Sequence, residues 1–219
     1  MTFLIITIGV PGVGKTTFCS ALSAVIQARI KICPYLIQRD QARARILNRG
    51  NTGISKEIDK ETSLLCLNAL SYGIHTKERV ILYDGCNCDK NSVVQTIEKA
   101  EQLAFQYRHP VEICLVLVGD HTSNCFHETK DIPVGDYSGY CKGDKMQVIA
   151  EHESIPIKVL EKKRSQRAEL ENELKTYSNR CIIHVHPEIN DIKTKKALET
   201  RSIFELLCFI ARHCDVTIL

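Results

Sequence analysis

The chain has 219 residues, 44% hydrophobic and 25% charged, with a formal net charge of +3. That suits one globular domain with a sizeable core, and the mild charge permits an anionic partner without the marked basic patch of a strong electrostatic nucleic-acid binder. With no apolar run of membrane-spanning length and no signal core ahead of its 11 cysteines, the chain reads as intracellular and reduced, off the membrane, its cysteines mostly small buried hydrophobes.

Strand and helix signals alternate along the chain. Residues 3–8 are apolar and β-branched and predict a buried strand. The spacing of Phe18, Leu22, Val25 and Ile26 predicts a helix from Lys15 to about Arg29. A short strand is expected over 32–38, weakened by Pro34. Helical spacing follows over 55–78, a buried strand over 79–84, an amphipathic helix over 91–107 and another buried strand over 111–119. Residues 120–155 lose periodicity and carry Pro133, Gly135, Gly139 and Gly143, as a functional lid would. A helix is expected over 155–177 with Pro156 near its first turn, and a last strand over 181–186. "SIFE", 202–205, fits a capping box before a final apolar helix. The alternation predicts an α/β fold: a doubly wound, mostly parallel five-stranded sheet in a single domain, 1–219, with a lid insertion at about 120–155.

"TIGVPGVGKTTF", 7–18, contains Gly9, Gly14, Lys15 and Thr16 in the order G-x-x-x-x-G-K-[ST]. Glycines let backbone N–H groups approach phosphate oxygens, and the following helix offers its N-terminal N–H groups to the same anion. The expected nucleotide contacts are Gly9, Gly12, Val13, Gly14, Lys15, Thr16 and Thr17. Lys15 would reach the terminal phosphates and Thr16 would offer its hydroxyl to Mg²⁺. No N-K-x-D segment for guanine follows, since Asn190-Asp191 precedes Ile192-Lys193 in the wrong order. Small size and a long polar lid favour a phosphotransferase over a switch GTPase or a motor.

"QRDQARAR", 38–45, follows the second strand. Asp40 would face the phosphate loop across the crevice and could take the proton of an attacking hydroxyl. Arg43, one helical turn on, could hold an acidic group of the acceptor. Equally, Asp40 could cap a helix, with Arg39, Arg43 and Arg45 forming a solvated face. "ILYDGCNCD", 81–89, puts Asp84 at a strand end, where it could hold Mg²⁺ through water or merely begin a turn before Gly85.

Together these three segments resemble the polynucleotide 5′-hydroxyl kinase family, to which O-phosphoseryl-tRNA kinase is related. The likeness covers about residues 3–165. It implies a P-loop kinase fold using ATP (or GTP) and Mg²⁺, with 5′-hydroxyl ends of DNA or RNA as substrate. It assigns Asp40 as general base, Arg43 to the acceptor phosphate, and Asp84 with Asn87 to the family's D-x-T-N station. Gln38 stands where the family has the asparagine of N-R-D, and Cys86 where it has the threonine of D-x-T-N. The family's lid arginines are missing between Val118 and Pro156, where the chain has Lys130, Lys142 and Lys145. Either those lysines substitute, or Arg164 or Arg167 reaches in from the next helix, or donor geometry differs. The sequence names no protein partner.

Other clusters carry less. His121, Cys125, His127 and Cys141 could staple a zinc lid, but Cys125-x-His127 is tight for a zinc pair. Cys86-x-Cys88 suggests a redox pair only weakly. His184 and His186 alternate on a strand and read as packed or solvated, and "EKKRSQR", 161–167, reads chiefly as a solvated face. The alternatives to a polynucleotide kinase are another small kinase, with a nucleoside, sugar or seryl-tRNA acceptor, and a non-catalytic NTP-binding module.

Overall fold

The computed structural model describes residues 1–47, 56–119, 157–174, 181–185, 206–208 and 210. In chain order these form β1 (Thr2–Ile8), α1 (Lys15–Ile30), β2 (Tyr35–Gln38), α2 (Arg39–Leu47), α3 (Lys56–His75), β3 (Val80–Asp84), α4 (Lys90–Gln106), β4 (Val111–Val118), α5 (Ile157–Leu174) and β5 (Cys181–Val185). The strands make one sheet in the order β2-β3-β1-β4-β5. Every pairing is parallel, so the expected mostly parallel sheet is parallel throughout its described strands.

Parallel strands need long crossovers, and the helices in those crossovers cover both faces of the sheet. That is why β1 and β3 read as unbroken apolar runs: every residue in both is buried. Side chains along β1 alternate between two cores. Phe3 and Ile5 pack with Phe18, Leu22 and Ile26 of α1, joined by Leu206, Leu207 and Ile210. Leu4, Ile6 and Ile8 pack with Cys66, Leu70 and Ile74 of α3 and with Val93, Ile97 and Leu103 of α4.

Two boundaries differ from the periodicity. The second strand shrinks to Tyr35–Gln38, starting just after Pro34, whose ring has no N–H for the ladder. Helix α2 then begins at once with Arg39, so Asp40 lies in its first turn instead of capping it. The expected lid, its lysines, the four-residue His/Cys cluster, His186 and the capping box at 202–205 lie outside the described residues.

β1 is the switch point. β3 lies on one side of it and β4 on the other, which opens a crevice at its carboxyl end. Ile6 lies under this point with no exposed surface. Replacing Ile6 with Ala should destabilise the fold by about 2–5 kcal/mol through lost burial and a residual cavity. Urea titration checks this, and a loss under about 1 kcal/mol would contradict the packing described.

Candidate active site

The chain leaves β1 at Gly9, where space decides the residue. A Cβ there would stand 2.7 Å from the Val118 carbonyl oxygen and 2.9 Å from Val13 Cγ1. The Gly9 N–H donates to the Cys86 carbonyl at 3.2 Å, tying the loop to the turn after β3. Gly12 and Gly14 have φ of 77° and 92°, a region that side chains avoid. Gly14 thereby turns the chain into α1, whose first turn contains no acidic residue to compete with an anion. Val13 and Lys15 are buried, whereas Thr16 and Thr17 are exposed at the helix start. Lys15 Nζ donates to the loop's own Val10 carbonyl at 2.7 Å, so the ammonium rests inside the loop's curve.

Asp84 closes the site from β3. It is the strand's last residue and only 5% exposed. Burial pushes its carboxyl above the ordinary 3.8. A hydrogen bond from the Thr16 hydroxyl and the nearby Lys15 ammonium oppose that rise, the Asp40 carboxylate adds to it, and a hydrogen bond from Gln38 opposes it. Thr16 thus touches Asp84, and the Lys15 and Asp40 charges act on it, although they come from three different strand ends. A buried carboxylate beside a threonine hydroxyl is a hard-oxygen donor set of the kind Mg²⁺ takes, with water completing its shell.

Asn87 has φ 40° and is 7% exposed. Its Nδ2 donates to the Thr7 carbonyl at 2.9 Å, pinning the 85–88 turn to β1. Cys86 and Cys88 lie on either side, with sulfurs 3.5 Å apart. Contact with Cys88 holds the Cys86 thiol below its usual range, helped by the Lys15 and Lys163 charges, while contact with Cys86 and burial raise Cys88.

The acceptor side is more open. Asp40 is exposed in the first turn of α2. Arg43 Nη2 lies 2.6 Å from Asp59 Oδ1 at the start of α3. Arg39 Nη1 donates to Ser63 Oγ at 3.0 Å and also approaches Asp59 at 3.7 Å. Beside the 85–88 turn lies a cavity of about 330 Å³, lined by Arg39, Ser63, Asn87, Gln95, Lys163 and Gln166 among others.

Several of these roles escape sequence reading. Lys163 reads as part of a solvated charge run but lines the cavity. Asp59 gives no local signal, because it meets Arg43 across sixteen residues of chain. Arg167, considered above as a lid substitute, is completely buried. Its Nε donates to Glu171 at 2.6 Å and its Nη2 to the Gly119 carbonyl at 3.1 Å, so it braces the end of β4 against α5. Among the described residues no cluster of three or more metal-ligating side chains occurs, and no helix is long and apolar enough to cross a membrane.

The model of an AAA domain family, AAA_33, matches residues 4–124. The chain belongs to this AAA domain family. The matched segment of this AAA domain runs from β1 through the phosphate loop, Asp40 and Asp84 to the end of β4. No curated protein sequence matches it. Among solved structures, the domain is similar to a candidate kinase from Chloroflexus aurantiacus, with 12% identity, coverage of 98% of this chain and 96% of that one, and a TM-score of 0.51. It is also similar to a fungal RNA kinase, at 18% identity and a TM-score of 0.47, covering 97% of this chain and 43% of that one. A Deinococcus radiodurans tunicamycin resistance protein aligns over 100% of this chain and 98% of its own, at 13% identity and a TM-score of 0.48. At 12% identity the likeness to the Chloroflexus protein concerns the fold alone, and the family match gives that fold as the α/β fold of a P-loop kinase.

Asp84 gives a pH dependence. Its folded pKa lies above the unfolded value, so the folded state binds the extra proton and stability falls as pH rises through the folded pKa. Asp84→Asn should therefore be more stable than the parent at pH 7, with the margin shrinking as pH falls toward 3.8. Urea titrations of both proteins from pH 3.5 to 7.5 check the sign. A variant less stable at pH 7 would contradict it.

Proposed function

We propose that this domain transfers the γ-phosphate of ATP or GTP to the 5′-hydroxyl of a DNA or RNA end. The observation that carries the reading is a buried Asp84 carboxylate that bonds the Thr16 hydroxyl of the phosphate loop and feels the charges of Lys15 and Asp40. It brings phosphate-binding groups and a candidate base to one crevice.

The loop's N–H groups and the start of α1 receive the β- and γ-phosphates. Lys15 exchanges the Val10 carbonyl for phosphate oxygens. Asp84 and Thr16 would hold Mg²⁺, which when bound neutralises charge on the phosphates. Asp40 accepts the proton of the acceptor hydroxyl as its oxygen bonds to the γ-phosphorus. The bond from that phosphorus to the β–γ bridging oxygen breaks, and the nucleoside diphosphate leaves. Arg43 turns from Asp59 to the acceptor's neighbouring phosphate. That exchange is inexpensive, because an ion pair this exposed is worth about 0–1 kcal/mol.

One observation favours a second reading. With Arg43 on Asp59 and a cavity of about 330 Å³ beside the site, a small hydroxyl acceptor such as a nucleoside or sugar also fits.

Labelled ATP with Mg²⁺ should phosphorylate a 5′-hydroxyl oligonucleotide in preference to nucleosides or sugars. Asp40→Asn should lower transfer by about 10²–10⁴-fold while leaving nucleotide affinity within about twofold. Label on nucleosides or sugars alone would establish the second reading. Nucleotide binding without transfer to any acceptor would make the domain a non-catalytic NTP-binding module.

A further inference from the structure

The turn after β3 carries two thiols that phosphoryl transfer does not use. Cys86 and Cys88 have their sulfurs 3.5 Å apart, and both line the cavity between their own turn and the residues Arg39, Ser63 and Lys163. Cys86 is half-buried and Cys88 is 1% exposed. Between them Asn87 adopts the left-handed conformation, φ 40°, so the backbone curls and the two sulfurs meet.

This turn is wired directly to the loop. The Cys86 carbonyl accepts from the Gly9 N–H at 3.2 Å, and Cys86 Sγ donates to the Gly9 carbonyl at 3.5 Å. Both polar groups of Gly9 therefore answer to Cys86. Cys88 Sγ donates to that same Cys86 carbonyl at 3.3 Å.

We propose that Cys86 and Cys88 are a redox modification site, where a hydroperoxide links the two sulfurs and the linked turn pulls the phosphate loop out of its nucleotide-binding shape. In the first step the Cys86 sulfur attacks a peroxide oxygen, the O–O bond breaks, and a sulfenic acid forms with release of water or an alcohol. The Cys88 sulfur then attacks the Cys86 sulfur and expels water. Two thiols are oxidised by two electrons and the peroxide is reduced by two. A disulfide bond is about 2.05 Å long, so the sulfurs close by about 1.5 Å. Cys86 then gives up its contact with the Gly9 carbonyl, and its own carbonyl is displaced from the Gly9 N–H. A dithiol reverses the change by exchange.

A second pair provides an internal competitor. Cys114 and Cys181 are register partners on β4 and β5, with sulfurs 3.2 Å apart. They sit on the sheet away from the loop, and Cys114 has no exposed surface.

The effect on binding rests on the nucleotide reading given above, whereas formation of the bond does not. The full chain, reduced and then treated with hydrogen peroxide, is alkylated, digested with trypsin and weighed. Affinity for a fluorescent ATP analogue is measured before treatment, after it, and after dithiothreitol. The peptide spanning residues 80–90 should become lighter by two hydrogens. Affinity should fall by about tenfold or more and return with dithiothreitol. Cys86→Ser and Cys88→Ala should each leave that peptide without the linkage, and peroxide should leave each variant at its own reduced-state affinity. Oxygen added to the peptide in place of hydrogen loss overturns the proposal. So does a Cys114–Cys181 bond formed while residues 80–90 stay reduced, or a Cys86–Cys88 bond that leaves affinity unchanged. If the reduced protein binds no nucleotide, the functional reading fails by itself, and hydrogen loss from residues 80–90 still decides the modification.

Discussion

The crevice is organised around a carboxylate that the fold buries. Asp84 ends β3 under the phosphate loop at 5% exposure, where an unpaired charge would cost several kcal/mol. The Thr16 hydroxyl, Lys15 and Gln38 compensate, each hydrogen bond to a charged group contributing about 1.5–3 kcal/mol. Burial still prevails over them, because the carboxyl remains above its ordinary value and Asp40 adds a like charge. A divalent cation on Asp84 would offset part of the cost of burying that carboxylate.

The rest of the donor half is held by backbone. Asn87 reaches from the turn after β3 to the Thr7 carbonyl, and Cys86 meets both polar groups of Gly9. These contacts join β3's turn to β1's end across the strand boundary where the crevice opens. A threonine in place of Cys86 would make shorter, stronger hydrogen bonds from the same position. The thiol makes a longer contact to Gly9 and brings a partner sulfur within reach. The loop's anchor is thus softer than a hydroxyl would make it, and it is chemically addressable.

Much of this was legible in the sequence, for reasons specific to each element. β1 and β3 are buried on both faces, so their apolar runs stand out against any background. The phosphate loop is written in glycines whose positions are dictated by φ and by a 2.7 Å approach. Asp84 could be placed because a strand of buried residues ends on it. The acceptor side was harder to read. Helix α2 follows β2 without a linker and contains three arginines in nine residues, so its periodicity was masked by charge. Asp59, Ser63 and Lys163 act through contacts across α2, α3 and the cavity, and no local spacing announces such contacts. Arg167 illustrates the opposite failure: inside a charge run its burial is invisible, although it is the largest fully buried side chain described.

These differences divide the site into two mechanical halves. Gly9, Lys15, Asp84 and Asn87 lie at the ends of β1 and β3 and the start of α1, where buried contacts hold them. Asp40, Arg43 and Asp59 stand on α2 and α3, and the partly exposed ion pairs that Arg43 and Arg39 make with Asp59 are worth about 1 kcal/mol or less. A phosphate at Arg43 would make a charge-assisted contact of the same class as the pair it displaces. An acceptor with a phosphate next to its hydroxyl can therefore rearrange this side at little cost, while an acceptor without one leaves Arg43 on Asp59 and must be positioned by the cavity alone. Under the proposed function, this partly exposed arginine is the group that would tell such acceptors apart.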